Sequence, residues 1–218
     1  MNDNSSFNHP SKTKNGAPRA WVELNSLETL WFNTGTLCNL QCQNCYIESS
    51  PTNDRLVYLD VTDIEKYLIE IRDTDKFKQV KIALTGGEPF LNPQIISIIK
   101  LILSYKHQLL ILTNGNRLIR KFENEIIQLS KEYPYLSYRV SLDHYTQELH
   151  DKERGDGSFL KALETLEWMS VHHIPFQIAG RSLISETMEE STLGYRKLFK
   201  EYRVNLQEVE NLIIFPEM

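Results

Sequence analysis

Three cysteines occur in the 218-residue chain, and all of them fall between Cys38 and Cys45. Their spacing, Cys38-x3-Cys42-x2-Cys45, is too crowded and too odd in number for a disulfide framework, and suits a metal site. Thiolates are soft ligands that favour zinc or iron–sulfur centres. A structural zinc site is normally closed by four ligands, and the fourth here would have to be one of six histidines, none of which lies in the loop from Asn33 to Tyr46. A cubane cluster has four irons, so three cysteines leave one iron open to another ligand. A Cys3His zinc site and a group of buried thiols are the alternative readings.

Four further segments carry residues able to bind or react. Leu84-Thr85-Gly86-Gly87-Glu88-Pro89 combines glycines, which let a backbone approach a ligand, with a carboxylate that can accept from an ammonium group. Alone it would read as a turn with a surface glutamate. Thr113-Asn114-Gly115 is a turn signal. In Val140-Ser141-Leu142-Asp143-His144, strand alternation turns Ser141 and Asp143 to one face. His144 has a side chain able to move protons near neutral pH, although a surface loop histidine is the plainer reading. In Leu149-His150-Asp151-Lys152-Glu153-Arg154-Gly155, Arg154 offers a planar fork to a carboxylate, but the alternating signs also read as a solvated charge run.

These segments need elements to position them. Short β-prone runs lie at Leu30–Asn33, Val80–Thr85, Leu109–Thr113, Tyr138–Leu142, Phe176–Ala179 and Leu212–Phe215. Their nearly continuous apolar character predicts strands covered on both faces. Between them, Ile64, Leu68 and Ile71 mark one helix, with Thr62 and Glu65 at capping-box spacing. Asn92 and Pro93 read as the N-cap and first residue of a second. Phe122, Ile126 and Leu129 mark a third that must stop before Pro134; a fourth begins near Ser158, and a fifth carries Leu198, Phe199 and Tyr202. Strands alternating with helices imply right-handed βαβ units and a parallel sheet. A closed eight-stranded barrel needs about 250 residues, so the expected fold is α/β, a partial (βα)6 TIM-like barrel of parallel strands with outer helices. Every segment above falls at the carboxyl end of a strand, where such folds place their sites. Residues 1–20 are polar and rich in breakers and read as a mobile arm; residues 21–218 form the core domain.

Composition bounds the rest. Apolar residues make up 41% and charged residues 24%, with a mean hydropathy of −0.38, which excludes a largely disordered chain. The net charge of −5 argues against an extended grip on nucleic acid. The richest apolar run, Ile95–Leu103, is interrupted by Ser97 and Lys100 and is too short to span a membrane. With no apolar leader at the N-terminus, a cytoplasmic protein is expected.

Cys38-x3-Cys42-x2-Cys45 after the first strand, followed by Gly86-Gly87-Glu88-Pro89 after the second, resembles the radical S-adenosylmethionine (SAM) superfamily, in the style of its peptide-modifying and molybdopterin-forming branches. The resemblance runs from about Trp31 to Phe215. It implies a 4Fe–4S cluster on the three cysteines, with the fourth iron chelated by the amino and carboxylate groups of SAM. It further implies that Gly86, Gly87 and Glu88 bind the methionyl amino group, and that Asn114 lines the floor. Ser141 would lie near the ribose or carboxylate, Asp143 near the nucleoside, and Arg154 against the SAM carboxylate. Two positions depart from the family pattern: Asn44 stands where an aromatic residue is common, and His144 where glycine is common. The implied activity is reductive cleavage of SAM to a 5′-deoxyadenosyl radical that takes hydrogen from a peptide or small molecule, with an electron donor such as flavodoxin or ferredoxin. A non-enzymatic iron–sulfur or zinc protein is the alternative. The final strand is followed by no covering helix, which suggests the core of a longer protein or a partner over that edge.

Overall fold

The computed structural model describes residues 9–74, 77, 80–183, 185–204 and 211–216. Six strands form one sheet in sequential order, β1 (Thr29–Asn33), β2 (Lys81–Thr85), β3 (Gln108–Thr113), β4 (Leu136–Ser141), β5 (Phe176–Ser182) and β6 (Leu212–Pro216). All five pairings are parallel. The helices α1 (Val61–Asp73), α2 (Ile95–Ser104), α3 (Glu123–Glu132), α4 (Gln147–Arg154), α5 (Ser158–Val171) and α6 (Met188–Glu201) connect them. This is the arrangement of a partial (βα)6 barrel.

The core explains the pairing. Phe32, Ile82, Leu84, Leu109, Ile111, Leu136, Tyr138, Val140, Phe176 and Ile178 alternate along their strands and meet Ile64, Leu68, Ile98, Ile102, Ile126, Leu163 and Leu166 from the helices in one buried cluster. Each such side chain stabilises the fold by roughly 1.5–3 kcal/mol through burial. The expectation of strands covered on both faces holds for β2 and β3, where successive residues are buried, and needs correction for β4 and β5. In β4 and β5, buried and half-buried residues alternate strictly, because helices cover only one face. The other face, the inside of the partial barrel, carries Ser137, Arg139 and Ser141 from β4 and Gln177, Ala179 and Arg181 from β5.

Local chemistry also departs from the sequence-based expectations. The cap of α1 is Asp60, whose Oδ1 accepts from Thr62 N at 2.7 Å, and not Thr62. A carboxylate two residues earlier outcompetes the predicted capping box. Helix α2 begins at Ile95; Asn92 instead accepts from Gln94 N at 2.8 Å and donates to Leu59 O at 2.9 Å, tying the turn before α2 to the segment before α1. Thr187 and Glu190 form a complete capping box at α6. Residues 9–20 make an exposed turn bridged between Lys12 and Pro18; residues 1–8 of the expected arm lie outside the described residues.

Candidate active site

The loop from Thr34 to Ser50 folds back over the carboxyl end of β2. Thr34 donates through N and Oγ1 to Thr85 O at 2.8 and 3.0 Å, Cys38 N donates to Ser50 O at 3.1 Å, and Thr36 N to Leu56 O at 3.3 Å. The approach to β2 is close. Gly87 N donates to Gly35 O at 2.8 Å and Glu88 N to Leu37 O at 3.0 Å. A Cβ on Gly87 would collide with the Leu37 carbonyl, and one on Gly86, whose φ is +136°, would sit 2.6 Å from Gly35 O. Both glycines are therefore required to seat the cysteine loop, whatever else they bind.

One cavity gathers Cys38, Cys42 and Cys45 with Gly86, Gly87, Asn114, Ser141 and Arg154, and Thr85 and Leu112 contribute its wall from β2 and β3. Eight predicted positions, all but Glu88 and Asp143, are thus brought to one space. Glu88 lies behind its wall, 2% exposed. Its carboxylate accepts from Thr113 Oγ1 at 2.9 Å, Asn114 N at 2.8 Å and Phe90 N at 3.2 Å. Burial outweighs these bonds and pushes the Glu88 carboxyl up to about 7. Asp143 pairs side-on with Arg154, at 2.7 Å to Nε and 3.1 Å to Nη2, and lies 3.5 Å from Arg181 Nε. Burial alone would raise the Asp143 carboxyl; the two guanidinium groups hold it below the usual carboxylate range.

Among the described residues, no three His, Cys, Asp or Glu side chains converge on one metal-ion position. Cys38 Sγ accepts from Leu40 N at 3.4 Å and Asn114 Nδ2 at 3.6 Å, and Cys45 Sγ from Ser49 N at 3.3 Å. Such N–H donors tune the potential of a bound cluster. Burial pushes the Cys38 thiol up to about 11 and raises Cys42 as well, so loading with metal must displace protons.

Helix α4 was not expected as a helix, and the charge run on it is not a solvated face. Asp151 accepts from Gly157 N, Ser158 Oγ and Phe159 N at 3.0, 3.1 and 2.8 Å and so fixes the start of α5. His150 is fully buried and accepts from Asp143 N at 3.1 Å. Glu153 holds the cysteine loop: its backbone carbonyl accepts from Gln43 N at 2.9 Å, and its carboxylate from Asn44 N at 2.9 Å and Asn44 Nδ2 at 2.7 Å. Sequence gave no signal for Glu153 or Thr113, because their partners are 109 and 25 residues distant. His144 is not a surface loop residue. It is 3% exposed, with Nδ1 2.8 Å from Thr146 Oγ1 and Nε2 3.2 Å from Glu186 Oε1.

The sequence profile of the Radical SAM superfamily matches residues 32–190. The chain belongs to the radical SAM superfamily. The antilisterial bacteriocin subtilosin biosynthesis protein AlbA of Bacillus subtilis is 32% identical over 143 residues, 65% of this chain and 30% of AlbA. GTP 3′,8-cyclase of Aliarcobacter butzleri is 30% identical over 181 residues, 77% of this chain and 53% of the cyclase. Streptococcus suis SuiB, solved with S-adenosylmethionine and with its precursor peptide SuiA, superposes with a TM-score of 0.66 in both forms at 14% identity, covering 88% of this chain and 40–41% of SuiB. That likeness shows the fold. This radical SAM chain spans about a third to a half of the length of these relatives. Membership of the superfamily implies SAM and a 4Fe–4S cluster. Among the described residues, no helix is long and apolar enough to cross a membrane.

Proposed function

We propose that Cys38, Cys42 and Cys45 hold a 4Fe–4S cluster whose open iron takes SAM, and that the bound pair supplies a 5′-deoxyadenosyl radical able to remove hydrogen from a substrate. The observation that carries this reading is the convergence of the three thiols, the Gly86–Gly87 wall, Asn114, Ser141 and Arg154 on one cavity. Arg154 would turn its remaining donors to the SAM carboxylate while Asp143 keeps the guanidinium aligned. Glu88 would act on the SAM ammonium through its charge and through the backbone that it orients. Ser141 would meet the ribose or carboxylate. Asn114 and Leu40 N would hold Cys38 Sγ, and Glu153 would fix the loop between Cys42 and Cys45. Water exclusion falls to Leu112 and Leu40 around the same cavity.

The substrate class that the relatives favour is a peptide, since AlbA is named for bacteriocin biosynthesis and SuiB was solved with a precursor peptide. A flavodoxin or ferredoxin would deliver the electron. The test is anaerobic incubation of reconstituted protein with SAM and dithionite. Formation of 5′-deoxyadenosine, lost in Cys42→Ala, supports the reading; a cluster-loaded protein that leaves SAM intact overturns it.

A further inference from the structure

The inner face of β4 carries a cation, Arg139, that the site described above does not use. Register pairs Asn33 with Thr85, Leu112 with Arg139 and Arg139 with Gln177, and Thr85 and Leu112 directly follow the paired residues Leu84 and Ile111. Thr85 and Leu112 already line the cysteine cavity. Arg139 is the direct lateral neighbour of Leu112 and lies two residues before Ser141 on the same face, roughly 6.6 Å along the strand. It stands at the level of the cavity floor.

Its guanidinium is oriented and only partly used. Gln177 Oε1 accepts from Arg139 Nε at 3.2 Å and from Nη2 at 2.9 Å. One amide oxygen therefore occupies the side edge of the fork and leaves the end edge, Nη1 with the second hydrogen of Nη2, open. Arg139 has no carboxylate partner among the described residues. Asp143, four residues further along the chain, is taken by Arg154 and Arg181. Burial lowers the pKa of Arg139, and no neighbouring charge acts against that. A half-buried guanidinium with a neutral orienting partner is a poor structural feature, since a buried cation is tolerated when paired. It is a good receptor for a planar anion.

We infer that Arg139 and Gln177 form a substrate subsite that takes a carboxylate, such as an aspartate or glutamate side chain, on the floor of the barrel beside the SAM cavity. This deepens the functional reading above and rests on it. The remaining end edge of the guanidinium presents two parallel N–H groups, which match the two oxygens of a carboxylate. Gln177 supplies no negative charge to compete. An acidic residue of a substrate peptide anchored here would be held beside the cavity whose rim carries Ser141 and Arg154.

The experiment uses cluster-loaded, full-length protein with saturating SAM, so that the SAM carboxylate occupies Arg154. Equilibrium dialysis measures retention of SAM together with binding of three probes: N-acetylglutamate N-methylamide, its glutamine isostere, and inorganic phosphate. The glutamate probe is expected to bind at least about tenfold more tightly than the glutamine probe, a difference of about 1.4 kcal/mol. Arg139→Met should erase that preference. Gln177→Glu should erase it too, because an internal carboxylate neutralises the fork while side-chain volume is kept. A wild type that retains no SAM refutes the functional reading. A wild type that retains SAM but treats glutamate and glutamine alike refutes the subsite alone, as does a preference that survives both variants. Phosphate binding as tight as the glutamate probe overturns the carboxylate assignment.

Discussion

Gly87→Ala separates two roles that the Gly-Gly-Glu-Pro segment carries at once, lining the cavity and seating the cysteine loop. Gly87 does not have a positive φ, so an alanine there suffers no backbone strain and the effect is purely steric. The new Cβ would meet the Leu37 carbonyl oxygen, with the Leu37 carbonyl carbon at 2.6 Å and Thr36 O at 2.8 Å. The carbon alone must retreat by about 0.8 Å to reach the 3.4 Å of ordinary contact. A shift of that size stretches two backbone bonds that join the loop to the segment after β2, Gly87 N to Gly35 O at 2.8 Å and Glu88 N to Leu37 O at 3.0 Å. Each such bond contributes about 1 kcal/mol net, and overpacking adds about 1–3 kcal/mol. The expected cost is therefore about 3–5 kcal/mol, or a fall in Tm of about 6–20 °C for a chain of this size. Thermal unfolding of the metal-free protein reads this directly, before any cofactor enters. Iron content after anaerobic reconstitution should fall in parallel, because Cys38 follows Leu37. An unchanged Tm with full iron loading would show that the loop is not seated on Gly87 and would refute the reasoning.

Asp143→Asn should cost about 3–5 kcal/mol in urea unfolding, because Arg154 is left as a buried cation without its bidentate partner; a loss below 1 kcal/mol would mean that Arg154 does not depend on Asp143 for its partner. Two buried groups make opposing contributions to stability against pH. Burial lowers His150 to about 4, so its neutral form stabilises the fold above pH 6.5, and that contribution is lost as pH falls from 6.5 towards 4. Burial raises Glu88 to about 7, so its protonated form is favoured in the fold, and that contribution is lost as pH rises from 4.5 towards 7. Each is worth roughly 3 kcal/mol over its window. Relative to wild type, His150→Asn should become progressively less stable as pH rises from 4 to 6.5, and Glu88→Gln progressively more stable from 4.5 to 7; parallel profiles in chemical unfolding would contradict both assignments.

The sheet was legible in the sequence because each parallel strand carries an apolar stripe between turn signals, as in Ile82 and Leu84 or Val140 and Leu142. The burial of a single face was not. Arg139 and Gln177 interrupt their stripes at positions that only register brings together. The cysteine loop and the Gly86–Gly87 segment were legible because their chemistry is local. Their mutual dependence was not, since the contact between Gly87 and Leu37 joins residues 50 positions apart. The charge run from His150 to Arg154 shows the same limit. Its residues face three different partners, Asp143, the start of α5 and the cysteine loop, which a helical pattern of polar side chains does not disclose.

The central claim is that three cysteines hold a four-iron cluster with one iron open to SAM. EPR of the anaerobically reconstituted, reduced protein, recorded with and without SAM alongside iron, sulfide and zinc analysis, tests it most directly. The account predicts about four irons and four sulfides per chain and a reduced-cluster signal whose g-values change on adding SAM. Stoichiometric zinc in protein supplied with iron, or a cluster signal that SAM leaves unaltered, would contradict it.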